Sequence, residues 1–213
     1  DTKLPAKEIL IEDGAAKAYF GQHAAGVTVG PAPLWMQARL INVGQRPINN
    51  VVDASNYVML ELGQPNHTFD ARTLGAKEVR VALAGGKTAK VSEFTPLDGE
   101  KRDIPPGTIL IMDGKKSAVA LGGIMGGESS GVSDDTTELF LESATFPRER
   151  IRPAIAQIGL RTDSAQRFEK GQDPAKAKPA LARLAELLHL SCPELRVGKI
   201  SGSAPEGPRN NKV

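Results

Sequence analysis

Val79-Arg80-Val81-Ala82-Leu83, closed by Gly85-Gly86, and Thr108-Ile109-Leu110-Ile111-Met112, opened by Pro105-Pro106-Gly107, decide the fold class. Each is a short run rich in β-branched and apolar side chains between turn residues, which is the pattern of a buried strand. Asp113-Gly114 turns the chain into a further run, Ser117 to Leu121, and Leu139-Phe140-Leu141 adds another. Thr88 to Val91 reads as the return strand of a hairpin after Gly85-Gly86. Toward the N-terminus, Ile9-Leu10-Ile11, Ala18-Tyr19-Phe20 and Val27-Thr28-Val29 read the same way until Pro31 and Pro33 stop them. Many short strands spaced by turns predict a sandwich or partly closed barrel.

Helices flank these strands. Pro33 suits a first helical turn, and Trp35, Leu40 and Ile41 follow at helical spacing up to Gly44. A second helix is predicted from about Asn50 to Glu61, with Asn49 or Asn50 as cap, an apolar stripe through Val51, Val58 and Met59, and Gly63 as terminator. A third runs from Pro147 to Gly159, carrying Ile151, Ile155 and Ile158. Asp173-Pro174 opens an amphipathic helix reaching about Leu190. The fold class is therefore α+β, a β-sandwich-like core of short strands flanked by helices. Residues 1–202 read as one domain and 203–213 as a flexible tail.

With 213 residues, 40% of them hydrophobic, the chain is long enough to bury a sizeable core. Its 27 basic and 25 acidic residues leave a net charge of +2, and aromatics make up 4%. Gripping long stretches of phosphate backbone calls for a clear basic excess, so any nucleic-acid contact is expected to be small. One cysteine, Cys192, forbids an internal disulfide, and His23, His67 and His189 stand far apart, so no metal centre is expected. The composition fits a reducing, cytoplasmic setting. There is no apolar run of membrane-spanning length and no signal peptide at Asp1, and the absence of an initiating methionine reads as a domain cut from a longer chain.

Several stretches resemble catalytic motifs. Gly86-Lys87-Thr88 ends like a phosphate-binding loop, but Val81 stands where the pattern needs its first glycine. Gly127-Glu128-Ser129-Ser130-Gly131 matches a nucleophile elbow, with Asp134 or Asp163 and His189 as formal partners, yet a polar, turn-forming stretch follows where a helix is required. The glycines from Gly122 to Gly127 read better as backbone coming close to a pocket. By themselves, His67 defaults to a turn histidine, Glu142 to a strand glutamate on either face, and Thr162-Asp163-Ser164 to a helix cap.

Blocks that recur in order tip these defaults. They are Arg46-Pro47-Ile48-Asn49-Asn50-Val51-Val52-Asp53, then Gly63-Gln64-Pro65 with His67, then Gly122-Gly123-Ile124-Met125-Gly126-Gly127-Glu128, then Leu141-Glu142-Ser143-Ala144, then Thr162-Asp163 with Arg167-Phe168-Glu169-Lys170-Gly171. Together they resemble the central editing module, the third and fourth structural domains, of the bacterial phenylalanyl-tRNA synthetase beta subunit, over about Ala18 to Gly202. No anticodon-recognition region and no aminoacylation motif accompany them. The resemblance implies hydrolysis of tyrosine wrongly esterified to tRNA(Phe), with no metal or organic cofactor. The implied partners are the acceptor end of that tRNA and, in a whole enzyme, the alpha subunit and the other beta-subunit domains, with no membrane. A non-catalytic module that binds the acceptor end or braces its neighbours is the alternative.

What the resemblance implies residue by residue follows the blocks. Glu142 accepts the phenolic hydroxyl, and His67 positions the attacking water or the terminal ribose. Arg46 and Asn50 meet the terminal adenosine or its phosphate. Gly122 and Gly123 bring backbone N–H groups to the substrate, and Thr162 and Ser164 wall the ring pocket. The chain departs from the pattern at Ser164-Ala165, where the family order is Ala then Ser, and at Asn66, where an apolar residue is common. A module of this kind has a physical rationale. A phenylalanine pocket rejects a ring with an added hydroxyl by only ~10²-fold, whereas a site that demands the hydroxyl discriminates by ~10⁴ or more.

Overall fold

The strand Glu138–Thr145 runs between two apolar layers and sets the architecture. Its odd residues Leu139 and Leu141 join one hydrophobic cluster, while Phe140 and Ala144 join another. A computed structural model describes residues 1, 3–75 and 77–204. In chain order the strands and helices are β1 (Glu8–Ile11), β2 (Ala18–Ala25), α1 (Leu34–Asn42), α2 (Asn50–Leu62), β3 (Asn66–Asp70), β4 (Glu78–Leu83), β5 (Glu93–Phe94), β6 (Arg102–Asp103), β7 (Ile109–Met112), β8 (Ala118–Leu121), β9 (Met125–Gly126), β10 (Glu138–Thr145), α3 (Arg148–Ile158), α4 (Asp163–Phe168), α5 (Ala177–His189) and β11 (Arg196–Ser203).

The strands form a five-stranded sheet, β1-β4-β7-β8-β9, a four-stranded sheet, β11-β2-β10-β3, and the small β5-β6 pair. Among the described strands only β1 and β4 run parallel. The side chains of Tyr19, Phe69 and Phe140 on the four-stranded sheet share a core with Val79, Val81 and Ile109 to Met112 on the five-stranded one. On its other face, Ala24, Leu139 and Leu141 pack with α1, α2 and α5. The layers are therefore helices, sheet, sheet, and the α+β class with its sandwich-like core stands.

The two faces explain why periodicity underdetermined β10. Both are buried and each carries apolar and polar side chains, Leu139, Leu141, Ser143 and Thr145 on one and Phe140, Glu142 and Ala144 on the other, so no alternation marks the inner face. Other elements differ from expectation for local reasons. Val27 to Val29 form no strand; the Val27 N–H pairs with the Thr137 carbonyl as the chain leaves β2. Thr88 to Val91 make no return strand, only an isolated bridge between Ala84 and Ala89. The Thr88 hydroxyl donates to Glu12, whose carboxylate also accepts from the Leu83 N–H, so an acidic side chain fills the turn where a phosphate loop would hold an anion. β11 enters a region that begins the expected tail, ending at Ser203; the remainder of that tail from 205 lies outside the described residues.

The helix boundaries follow the capping rules. Asn49, not Asn50, caps α2, accepting from the Val51 and Val52 N–H groups, and Gly63 ends it in the left-handed region. Pro147 and Gly159 bound α3, and Thr162 caps α4. After α2, buried Gln64 donates from Nε2 to the Ala144 carbonyl at 2.7 Å. That bond ties the turn to the end of β10, and β3 then pairs with β10 in a register that sets His67 opposite Glu142.

Candidate active site

Register and alternation bring the acidic and imidazole side chains to one face. Glu142 lies between Phe140 and Ala144 on β10, so it points between the sheets, and His67 shares that face of β3 with Phe69. Directly opposed residues place their Cβ atoms about 5 Å apart. There Glu142 lines an inner chamber of about 60 Å³, walled by His67, Ile111, Leu121, the Gly122–Gly126 backbone and Phe168. Glu142 is the only carboxylate among its lining residues. An outer groove of about 410 Å³ adjoins it, lined by Val52, Ser55, Asn56, Met125 and Thr162 among others. Asn66, His67, Met125, Gly126 and Ser164 line both, so they form the throat between the two spaces.

The electrostatics of the chamber are unusual for its two titratable groups. Glu142 is 6% exposed, and burial pushes its carboxyl up to about 7, partly offset by a hydrogen bond that its Oε2 accepts from the Tyr19 hydroxyl at 2.7 Å. Near neutral pH it is therefore present both as carboxylate and as carboxylic acid. A carboxylate accepts from a phenol; a carboxylic acid can also donate to its oxygen. Burial holds the His67 imidazole down to about 4, so it is neutral. Its ring meets Phe69 edge-on at 4.5 Å, and its shielded Nε2 has no partner. The Gly126 backbone makes that placement possible, since a Cβ there would stand 2.6 Å from the imidazole.

The remaining residues expected from the sequence distribute unevenly. Ser164 lines both spaces, and its hydroxyl makes one long contact, 3.7 Å, to the Met59 sulfur. The neighbouring Ala165 is buried in the core, so this serine is the residue of the Ser164-Ala165 pair that reaches the pocket. Thr162 lines the groove only, with its hydroxyl tied to the Ile124 carbonyl and the Ala165 N–H. Gly122 and Gly123 line the chamber, but the Gly122 N–H is taken by the Ile109 carbonyl at 2.8 Å. Gly123 sits at φ +75°, where a Cβ would stand 2.8 Å from Phe146 and 2.9 Å from Ile151, so close packing also requires a glycine there.

Arg46 and Asn50 are not brought to either space. Arg46 is exposed, and it lines neither the chamber nor the groove. Asn50 is 2% exposed; its amide accepts from the Gly30 N–H and donates to the Thr28 carbonyl and the Ser191 hydroxyl. It locks the segment after β2 to the start of α2. Ser129 is exposed in a short 3₁₀ turn, off both spaces, which leaves the nucleophile elbow without a nucleophilic setting. Two site residues were missed by motif reasoning. Tyr19 read as an ordinary strand residue. Asn66 showed only as a departure from pattern, yet its Oδ1 is buried at the throat without a partner while its Nδ2 donates to the Ser55 carbonyl. The described residues contain no cluster of ligands suited to a metal ion.

A core of two stacked sheets with a glycine-walled chamber at one end defines the class: the chain belongs to the B3/4 domain family, whose model matches residues 15–193. Its relatives are more particular. The phenylalanine–tRNA ligase beta subunit of Geobacillus kaustophilus is 47% identical over 171 residues, 80% of this chain and 20% of that protein. The beta subunit of Thermotoga maritima is 46% identical over 183 residues (85% and 22%), and that of Solibacter usitatus 41% over 208 residues (96% and 26%). The chain thus spans about a fifth to a quarter of the length of these relatives. An N-terminal fragment of the phenylalanyl-tRNA synthetase beta-subunit from Pyrococcus horikoshii aligns in three dimensions over 81% of this chain and 51% of that one, with 13% identity and a TM-score of 0.49.

Proposed function

We propose that this chain is the editing module of a phenylalanine–tRNA ligase beta subunit and hydrolyses the ester of tyrosine mischarged onto tRNA(Phe). The observation that carries the reading is Glu142, the one carboxyl lining a glycine-walled chamber whose other polar side chains, Asn66, neutral His67 and Ser164, stand at its throat. The tyrosyl ring enters the chamber and its hydroxyl meets Glu142. Phenylalanine offers no such hydroxyl and leaves Oε1 of the carboxyl desolvated without a donor, since Tyr19 bonds only Oε2, and that is the costly outcome. The terminal adenosine occupies the outer groove, which puts the ester at the throat.

Hydrolysis there joins a water oxygen to the ester carbonyl carbon, breaks the bond to the ribose oxygen, and returns a proton to that oxygen. Neutral His67 and Asn66, each with an unpartnered buried atom at the throat, hold the water or the ribose hydroxyl. An aminoacyl ester is labile, so placing the water beside the carbonyl carries much of the rate. Only the single-stranded acceptor end need enter, which suits the small net charge. The complete enzyme, with the alpha subunit and the other beta-subunit domains, delivers that end.

The test is deacylation of tyrosyl-tRNA(Phe) against phenylalanyl-tRNA(Phe) by the chain and by Glu142→Ala. Tyrosine-selective release that the substitution abolishes supports editing. A folded chain that binds the tRNA end without releasing tyrosine, alone or within the whole ligase, favours the scaffold alternative.

A further inference from the structure

Tyr19 is wholly buried, and its hydroxyl donates to Glu142 Oε2 at 2.7 Å. On the ladder between β2 and β10, Glu142 faces Gly21 and Tyr19 faces Ala144. Tyr19 is thus the diagonal neighbour of Glu142 on the face turned toward the five-stranded sheet, a separation that a long aromatic side chain spans. We propose that Tyr19 is the positioning residue of the recognition carboxyl: it fixes Oε2 from the sheet side and directs Oε1 to the phenol of the substrate. This inference rests on the editing reading of the chamber.

Three observations carry it. No other side-chain or backbone donor among the described residues bonds Glu142, so the orientation of its carboxyl depends on this single contact. The groups that surround the carboxyl bring no charge: His67 on β3 is neutral, Ser164 on α4 is a hydroxyl, and Ile111, Ala120 and Leu121 of the facing sheet are apolar. The Tyr19 hydroxyl is therefore the one identified contact that favours the charged form against burial. The resident donor is also a phenol, the same group that distinguishes the substrate. One carboxyl then serves two phenols, one built into β2 and one brought in.

The first test titrates the Glu142 carboxyl by carbon-13 NMR in the whole chain, with its resonance assigned by Glu142→Gln. Tyr19→Phe removes one hydroxyl and keeps the ring. The midpoint is expected to rise by about one pH unit or more. An unchanged midpoint overturns the proposal whether or not the chain deacylates anything. The second test compares deacylation of tyrosyl-tRNA(Phe) across pH. Tyr19→Phe is expected to lower kcat/KM about 10-fold at neutral pH, to displace the acidic limb of the profile upward, and to spare phenylalanyl ester. Added to Glu142→Gln, which also relieves any folding defect from an unpaired buried carboxylate, it is expected to cost nothing further. A full additional loss in that background shows that Tyr19 acts on the fold, and overturns the proposal. A shifted midpoint in a chain that never releases tyrosine, even within the whole ligase, upholds the hold on Glu142 and overturns the editing reading.

Discussion

Asp70 and Glu142 are both buried carboxyls on adjacent strands of the same sheet, 2% and 6% exposed, and they behave in opposite ways. Burial pushes Asp70 up, but Arg72 binds it through both Nε and Nη2 and the Thr136 hydroxyl and Arg72 N–H add to that, leaving its carboxyl below the usual range. Glu142 has one neutral donor and no cation, so burial prevails and its carboxyl rises to about 7. Degree of burial alone therefore says little about a carboxyl's role. A fully partnered one holds the chain together; an under-partnered one facing a chamber has an oxygen without a donor of its own.

Removing the under-partnered carboxyl should give the largest effect. Glu142→Ala is expected to lower the tyrosine-over-phenylalanine selectivity of deacylation by ~10²-fold or more, measured on both aminoacylated tRNAs, while the melting temperature holds or rises. The comparison also predicts opposed acid–base linkages. The folded state keeps a proton on Glu142 between pH 4.5 and about 7, so that group's contribution falls as pH rises through this window. His67 binds its proton in the unfolded chain at 6.5 but in the fold only near 4, so its contribution rises with pH across that range. Each is worth about 3 kcal/mol, and they nearly cancel. Urea unfolding against pH should show a steeper rise for Glu142→Gln than for the parent, and a fall for His67→Asn. Parallel curves for all three proteins would remove the basis for contrasting the two carboxyls.

Asp70→Asn should do the converse of Glu142→Ala. It is expected to cost about 2 kcal/mol of stability at neutral pH, because Arg72 and Thr136 lose a charged acceptor, and to leave tyrosine selectivity unchanged. The Asp70 contribution is present above the carboxyl's unfolded range and is lost as pH falls through its lowered folded value, so the variant and parent should converge in acid. The smallest effect is expected from Ser164→Ala, about threefold or less in kcat/KM for tyrosyl ester, since its hydroxyl makes only the long contact to Met59. A larger change would mean that this serine hydrogen-bonds the substrate.

What the sequence revealed depended on whether the signal was local. Gly63, Gly159, Asn49 and Thr162 mark helix ends through backbone geometry within a few residues, and the structure has them there. The face of Glu142 was not local. Leu139, Phe140 and Leu141 are all buried, on alternate sides, and only the position of the second sheet says which side holds the chamber. His67 defaulted to a turn and lies on a strand, because Gln64 pins the preceding turn to Ala144, far away in sequence. The pair β5 and β6 and the short β9 escaped because two residues are too few to show alternation. The Tyr19 contact spans 123 positions and has no motif at all.

The placement of the site also bears on how it can change over generations. β10 is hydrogen-bonded on both sides, to β2 along its whole length and to β3 over five residues. One inserted or deleted residue before Glu142 would turn it toward the helices, so the acceptor tolerates almost no variation in length. Ser164 instead stands in the first turn of a six-residue helix that belongs to neither sheet ladder. Single substitutions can reshape the throat there without disturbing any strand pairing, while the position of the buried carboxyl stays locked in the ladder.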